Sequence, residues 1–247
     1  MSEPVKRTLK VLEFFATSGQ QPVSLTEIAR HCNIAMATLF RIVSTLEQTG
    51  YIQRQSHTTY ISNFEFKKSL PMSSDYLKKL EQVLNDIADS SQQTAESILI
   101  DSDHLLWHSK NEYKDLAIRL RAQPGFRRAM YELDSPSRLY LKALGWEKVS
   151  ETFDKTAFFR TGTEREFITE SEAKDIIEST DISDVAYDIE GNVRGIRRFA
   201  KLILDANGSP LFLICIAEAA LQVPDKEKHI SRYKKILHDA ANSLKTP

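Results

Sequence analysis

The chain has 247 residues, 41% of them hydrophobic and 27% charged, with a formal net charge of −1. That composition is typical of soluble globular proteins, and the length predicts two domains. Its two cysteines, Cys32 and Cys215, fall in different predicted domains, which excludes a disulfide framework and fits a reducing, cytoplasmic setting. The longest apolar run, residues 211–217, is far below the roughly 18 residues needed to span a bilayer, and the opening MSEPVKRTLK lacks the apolar core of a signal peptide, so no membrane partner is expected.

Residues 4–18 place Val5, Leu9, Leu12 and Ala16 along one edge, widened by Val11 and Phe15, which is the spacing of an amphipathic helix. Ser24, followed three residues later by Glu27, is a capping box that satisfies orphaned amide donors, so a second helix opens there with Leu25, Ile28 and Ala29 on one face. Residues 32–35 are too short and too polar to be more than a connection. A third helix begins near Met36: Leu39, Ile42, Val43 and Leu46 turn inward, leaving Ala37, Thr38, Phe40, Arg41, Ser44 and Thr45 on or beside the opposite face. Gly50 stops it as a left-handed cap. A strand at 51–54, a polar tip at 55–58 and a returning strand at 59–62 complete a hairpin.

Helix, turn, helix and hairpin in this order predict a winged helix-turn-helix, a device for reading double-stranded DNA. The competing reading is a buried helix pair of any small domain. The planar fork of Arg41 suits guanine O6 and N7 or a phosphate, Thr38 suits a phosphate or base edge, and Phe40 either meets a thymine methyl or joins the core. Arg54 and His57 on the wing suit backbone or minor-groove contacts. Ser24, Thr26, Met36, Ala37 and Thr45 complete the candidate DNA contacts. Through residue 70 the chain carries eight Lys and Arg against five acids, and 25 basic against 29 acidic residues follow. A basic end on an otherwise acidic chain fits one DNA-facing module.

Beyond the wing, Phe64 and Phe66 lead to Pro71 and to Ser73 and Ser74, which cap a helix running to about residue 90, with Tyr76, Leu77, Leu80, Val83, Leu84 and Ile87 in a stripe. Such a helix can link domains. Alternating patterns at 95–101, 105–108 and 116–121 predict strands. Asp134 before Ser135 and Pro136 opens a helix that Gly145 ends, Val149 and Phe153 mark a short helix, and Thr169 or Ser171 caps another. A strand at 185–189 precedes the clearest hairpin, 197–204 and 211–217 around Asn207 and Gly208. A final helix starts at Pro224 and Asp225, with Ile230, Tyr233, Leu237, Ala240 and Leu244 covering one sheet face. The fold class is α+β: a winged helix-turn-helix at 1–70, a linking helix at 71–92 and an antiparallel-sheet domain at 93–247.

Across nearly the whole chain, and most clearly in RTLKVLEFFA through LEQTGYI and in GIRRFAKLILDANGSP, the sequence resembles the isocitrate lyase regulator (IclR) family. The resemblance implies a bacterial transcription regulator, homodimeric or tetrameric, with a GAF-like effector domain that binds a small metabolite. It puts the effector positions in the loop from Gly125 through Arg127 and Arg128 to Tyr131, at Asp188, at Arg198, and at Cys215 and Ala217. The sequence departs from the family there: Arg198 replaces a small thiol residue and neither strand hydroxyl is present. A larger or differently charged effector, or a pocket reshaped to take none, follows from that departure.

Arg119, Arg121, Arg127, Arg128, Arg138, Arg197 and Arg198 offer forks for a carboxylate effector, unless they are exposed or paired with the chain's many acids. No phosphate-cradling Gly loop, nucleophile elbow or paired metal-binding Cys motif indicates an enzyme or a cofactor. His104 and His108, with Asp101 and Asp103 nearby, lie on a predicted strand and read as surface or satisfied histidines rather than metal ligands. The remaining alternatives are a DNA-binding scaffold governed by a protein partner and, behind it, an enzyme in the C-terminal domain.

Overall fold

In the computed structural model, which describes residues 2–18, 21–63, 73–101, 103–205 and 207–244, the chain separates into two units, Met1–Lys67 and Lys68–Pro247. The first holds α1 (Glu3–Ser18), β1 (Val23–Ser24), α2 (Leu25–Cys32), α3 (Met36–Gln48), β2 (Ile52–Arg54) and β3 (Thr59–Ser62). The capping box forms: Glu27 N donates to Ser24 Oγ at 3.3 Å, and Ser24 N donates to Glu27 Oε2 at 2.8 Å. Asn33, at φ 53°, turns the chain out of α2. Leu39, Val43 and Leu46 of α3 pack against Val11 and Phe15 of α1, Ile28 of α2, and Ile52 and Tyr60 of the wing. Gly50, at φ 79°, makes the left-handed exit after α3. The short β1 pairs Val23 with Tyr60 and Ser24 with Thr59, adding a third strand to the predicted hairpin.

The second unit runs α4 (Ser74–Ser91), β4 (Thr94–Asp101), β5 (His104–Glu112), β6 (Arg127–Ala129), α5 (Ser135–Leu144), α6 (Trp146–Thr152), β7 (Phe159–Arg160), β8 (Glu166–Phe167), α7 (Glu170–Glu178), β9 (Ala186–Tyr187), β10 (Ile196–Leu204), β11 (Pro210–Ala219) and α8 (Lys226–Leu244). Antiparallel pairing gives the order β6-β5-β4-β11-β10-β9. One face buries Phe199, Phe212, Ile214 and Ile216 under α4 and α8. The other buries Ile98, Trp107, Ala200, Leu213 and Cys215 under α5, α6 and α7. The strict alternation along β10 and β11 is what sorts these side chains to opposite faces.

Three expectations need correction. The helix read as a linker is part of the second unit's core, because its apolar stripe packs on the sheet beside α8, and Tyr76 Oη donates to Leu244 O at 3.4 Å. Residues 116–121 are irregular: β5 continues to Glu112 and β6 takes its free edge, and of the alternating residues only Leu120 is fully buried. The strand at 185–189 shortens to two residues: Asp188 N still donates to Arg198 O at 3.1 Å while its carboxylate meets the start of α5, and Gly191 then turns the chain at φ 78°. A Cβ on Gly191 would stand 2.4 Å from Ala220 Cβ, so the turn admits only glycine. The expected boundary near residue 70, with Phe64, Phe66 and Pro71, lies outside the described residues.

Asp184 ties the segment before β9 to α8 through Lys234 and, at 2.9 Å, His238 Nε2. Burial raises this carboxyl, but hydrogen bonds from Lys234, the Val185 amide and His238 override it and bring the pKa down to about 2. The folded value lies below the unfolded one, so the stabilisation is complete at neutral pH and is lost as pH falls from about 4 toward about 2. Asp184→Asn is expected to cost on the order of 1 kcal/mol at most in urea unfolding at pH 7, since the carboxylate is more than one-third exposed. That deficit should shrink as pH falls and vanish only below about pH 2; a deficit independent of pH would show that charge is not its source.

Candidate functional site

In the first unit, the face of α3 opposite Leu39 and Val43 is open. Met36 is 47% and Phe40 54% exposed, and Ala37, Arg41 and Thr45 are exposed with them, while Thr38 is half-buried. Phe40 is therefore not a core residue. Arg41 meets no carboxylate among the described residues, and Thr45 Oγ1 donates to Arg41 O at 2.9 Å. Ser24 spends its hydroxyl on the capping box, where it donates to Glu27 Oε2 at 2.7 Å, so it sets the start of α2 while Thr26 beside it stays exposed. Arg54 reaches back from β2 to Glu47 at 3.4 Å and lies over the Tyr60 ring at 5.1 Å, which ties the wing to α3. His57 sits exposed at the wing tip.

In the second unit, a cavity of about 440 Å³ is walled by Trp107, Ala122, Phe126 and Ile196 and by four arginines, Arg121, Arg128, Arg194 and Arg198. Strand register brings them together: Trp107 on β5 is paired with Ile98, Arg128 on β6 with Leu105, and Arg198 on β10 with Ala217. Arg198 donates to the fully buried Glu96 at 2.9 Å and its guanidinium lies 5.2 Å from the Trp107 ring centre. Arg128 donates to Glu132 and to Asp134 at 2.6 Å each, and Arg194 reaches Glu132 at 3.3 Å. Burial alone would raise the Asp134 carboxyl, but the Arg128 guanidinium holds it below the usual range. Arg121 has no carboxylate partner among the described residues.

Residues 4–56 match the family model for the IclR helix-turn-helix domain. Over 228 residues, covering 90% of this chain and 82% of the relative, the sequence is 22% identical to the transcriptional repressor IclR of Escherichia coli (strain K12). The chain carries an IclR-type helix-turn-helix domain. Its fold is that of IclR from Thermotoga maritima, at 20% identity, with 97% of this chain and 96% of that one covered and a TM-score of 0.57. It is also that of an IclR homolog from Microbacterium hydrocarbonoxydans solved with 4-hydroxybenzoate, at 15% identity, 98% coverage of both chains and a TM-score of 0.51.

Of the effector positions that the IclR resemblance implies, the cavity brings together Arg128, Arg198 and Phe126 of the 125–131 loop, and leaves Gly125, Arg127, Asp188, Cys215 and Ala217 outside its wall. Gly125 turns the adjoining loop at φ 89°. Arg127 is exposed and paired with Asp101 at 2.7 Å. Asp188 is spent on α5, accepting from Ser135 N at 2.6 Å and from Arg138 at 2.7 Å. Cys215 and Ala217 are fully buried in the sheet, and burial pushes the Cys215 thiol well up. Pairing with acids also claims Arg119, Arg138 and Arg197, so most of the sequence's candidate forks are neutralised. Trp107 and Arg194 are not singled out by the sequence, and Phe126 only as part of the loop from Gly125 to Tyr131. A tryptophan on a predicted strand, facing a run of arginines, was the available signal. His104 and His108 bond to Asp103 and to Ser97 and Ser109, and no metal cluster occurs among the described residues.

Proposed function

We propose that this IclR-type regulator binds a near-palindromic operator as a homodimer or tetramer, with α3 of two copies in successive major grooves. A small organic acid held in the arginine-walled cavity then alters operator occupancy. The observation that carries the DNA half is the open face of α3, where Arg41 stands exposed beside Ala37, Phe40 and Thr45 without a carboxylate partner among the described residues. An unpaired fork there suits guanine or phosphate, while Arg54, held by Glu47, suits a positioning contact from the wing. The cavity's cations and aromatic wall support the acid, as does the 4-hydroxybenzoate bound by the Microbacterium homolog. The acid need only bind one arrangement of the reading helices better than the other to shift their populations.

The test is selection of genomic fragments by purified protein, then footprinting with and without a panel of organic acids. A protected near-palindrome whose protection an acid changes is the expected result; no enrichment even at low salt would overturn the DNA half. Arg41→Ala should cost about 1–3 kcal/mol of operator affinity and reduce the salt slope by about one, with no change in melting temperature. Unchanged affinity at matched salt would remove Arg41 from the interface.

A further inference from the structure

Two residues that wall the cavity each carry a buried donor with no acceptor among the described residues. Trp107 Nε1 and Arg128 Nε are both shielded from water and have no hydrogen-bond partner among the described residues; Trp107 is only 1% exposed, and the other two guanidinium nitrogens of Arg128 are engaged. Buried donors left unpaired cost on the order of 1–3 kcal/mol each, so such a pair is not a neutral feature of a fold. The two groups belong to one wall, with the Arg128 guanidinium 5.8 Å from the Trp107 ring centre.

Charge around the cavity points the same way. Arg198 is answered by Glu96, and Arg128 and Arg194 share Glu132 and Asp134, so these three cations face three carboxylates. Arg121 adds a cation at the exposed rim with no carboxylate partner among the described residues. A trapped water could accept from the two donors, but it has no charge to attract the Arg121 guanidinium at the rim. An anion answers both.

Building on the reading of this cavity as an effector site, we propose that Trp107 Nε1, Arg128 Nε and Arg121 form its anion subsite, for a monocarboxylate carried on a flat apolar body. The body lies against Phe126 and Ile196. Beside Cys215 and Ala217, two of the positions that the family resemblance implies, Glu96 and Arg198 are the paired residues and bond each other, so the carboxylate binds on the Arg121 side instead. Because both donors are shielded, the ligand reaches them only as the loop over Trp107 yields. That loop is held by Trp107 N donating to Phe126 O at 2.9 Å, by Gly125 N donating to Trp107 O at 2.8 Å, and by the Phe126 ring set edge-on at 5.0 Å. Phe126 is 42% exposed, so its ring swings aside without opening the core. The volume is within the range of small-molecule sites.

The experiment uses the full chain, which has two tryptophans, Trp107 and Trp146. Indole N–H resonances are followed in ¹⁵N-labelled protein, with Trp146→Phe assigning the Trp107 signal, as benzoate is titrated against benzamide as its neutral isostere. Benzoate should shift the Trp107 signal downfield and saturably, with benzamide weaker by roughly tenfold or more. Arg128→Lys, which keeps the charge but removes the Nε donor, should weaken benzoate by roughly tenfold, and the surface change Arg121→Gln by several-fold. Benzoate binding by calorimetry with an unmoved Trp107 signal, or with full affinity in Arg121→Gln, overturns the subsite while leaving an acid-responsive regulator standing. Equal binding of benzamide overturns the anion assignment. Failure of benzoate, phenylacetate and cyclohexanecarboxylate alike overturns the subsite, and only a footprint unresponsive to every acid would then remove the broader reading as well.

Discussion

Arg198→Ala is expected to lower the stability of the second unit by about 3–5 kcal/mol, because it strands the Glu96 carboxylate, which is fully buried, without its cation. Urea unfolding at neutral pH measures this directly. The companion variant Arg198→Met with Glu96→Leu should be neutral or more stable than the parent, since exchanging a buried pair for apolar groups of similar volume removes the desolvation cost of both ions. The contrast separates two explanations of the pair. A loss below about 1 kcal/mol in Arg198→Ala would mean that Glu96 is not a buried charge that needs this partner. A stable double variant that no longer answers to an acid would show that the pair is kept for the shape and polarity of the cavity floor. The same pair accounts for the departure from the family pattern: a guanidinium at position 198 needs a carboxylate within reach, and β11 puts Cys215 between Arg198's strand and Glu96 on β4.

What the sequence made legible is short in range. The Ser24 and Glu27 capping box, the inward run of Leu39, Val43 and Leu46, the Gly50 exit and the Asp134 cap of α5 each depend on neighbours within a few residues, and all are present. What it hid is long in range. The two residues of β1 pair with β3 more than thirty positions on, and nothing local in Val23 and Ser24 marks a strand. The alternation at 116–121 reads as half-buried, but whether a strand forms depends on a free sheet edge, and Arg127–Ala129 occupies it. α4 shows the same ambiguity: an apolar stripe says that one face is covered, not that the cover is α8 from the far end of the chain. For the cavity, the arginines were visible as charge, whereas their partners were not. Arg198 and Glu96 are separated by 102 positions, and the orphaned indole of Trp107 becomes apparent only when every nearby acceptor is accounted for.

Leu39→Ala should abolish DNA binding by a different route from Arg41→Ala, although the two residues are neighbours on α3. Leu39 is fully buried among Val11, Phe15, Ile28 and Val43, so truncation removes transfer free energy and leaves a cavity, at a cost of about 2–5 kcal/mol. The unit that holds it ends at Lys67, and a domain of about that size buries only some 60% of the surface of its unfolded chain, so its net stability is a few kcal/mol and the substitution consumes most of it. Calorimetry should therefore show the N-terminal transition moved far down or lost while that of the sheet domain stays in place. Arg41→Ala should leave both transitions where they are and lose only affinity. If Leu39→Ala moved the first transition by less than about 1 kcal/mol, the packing of α3 against α1 and α2 would not be what holds the reading helix, and the open face of α3 would have to be positioned by something other than this core.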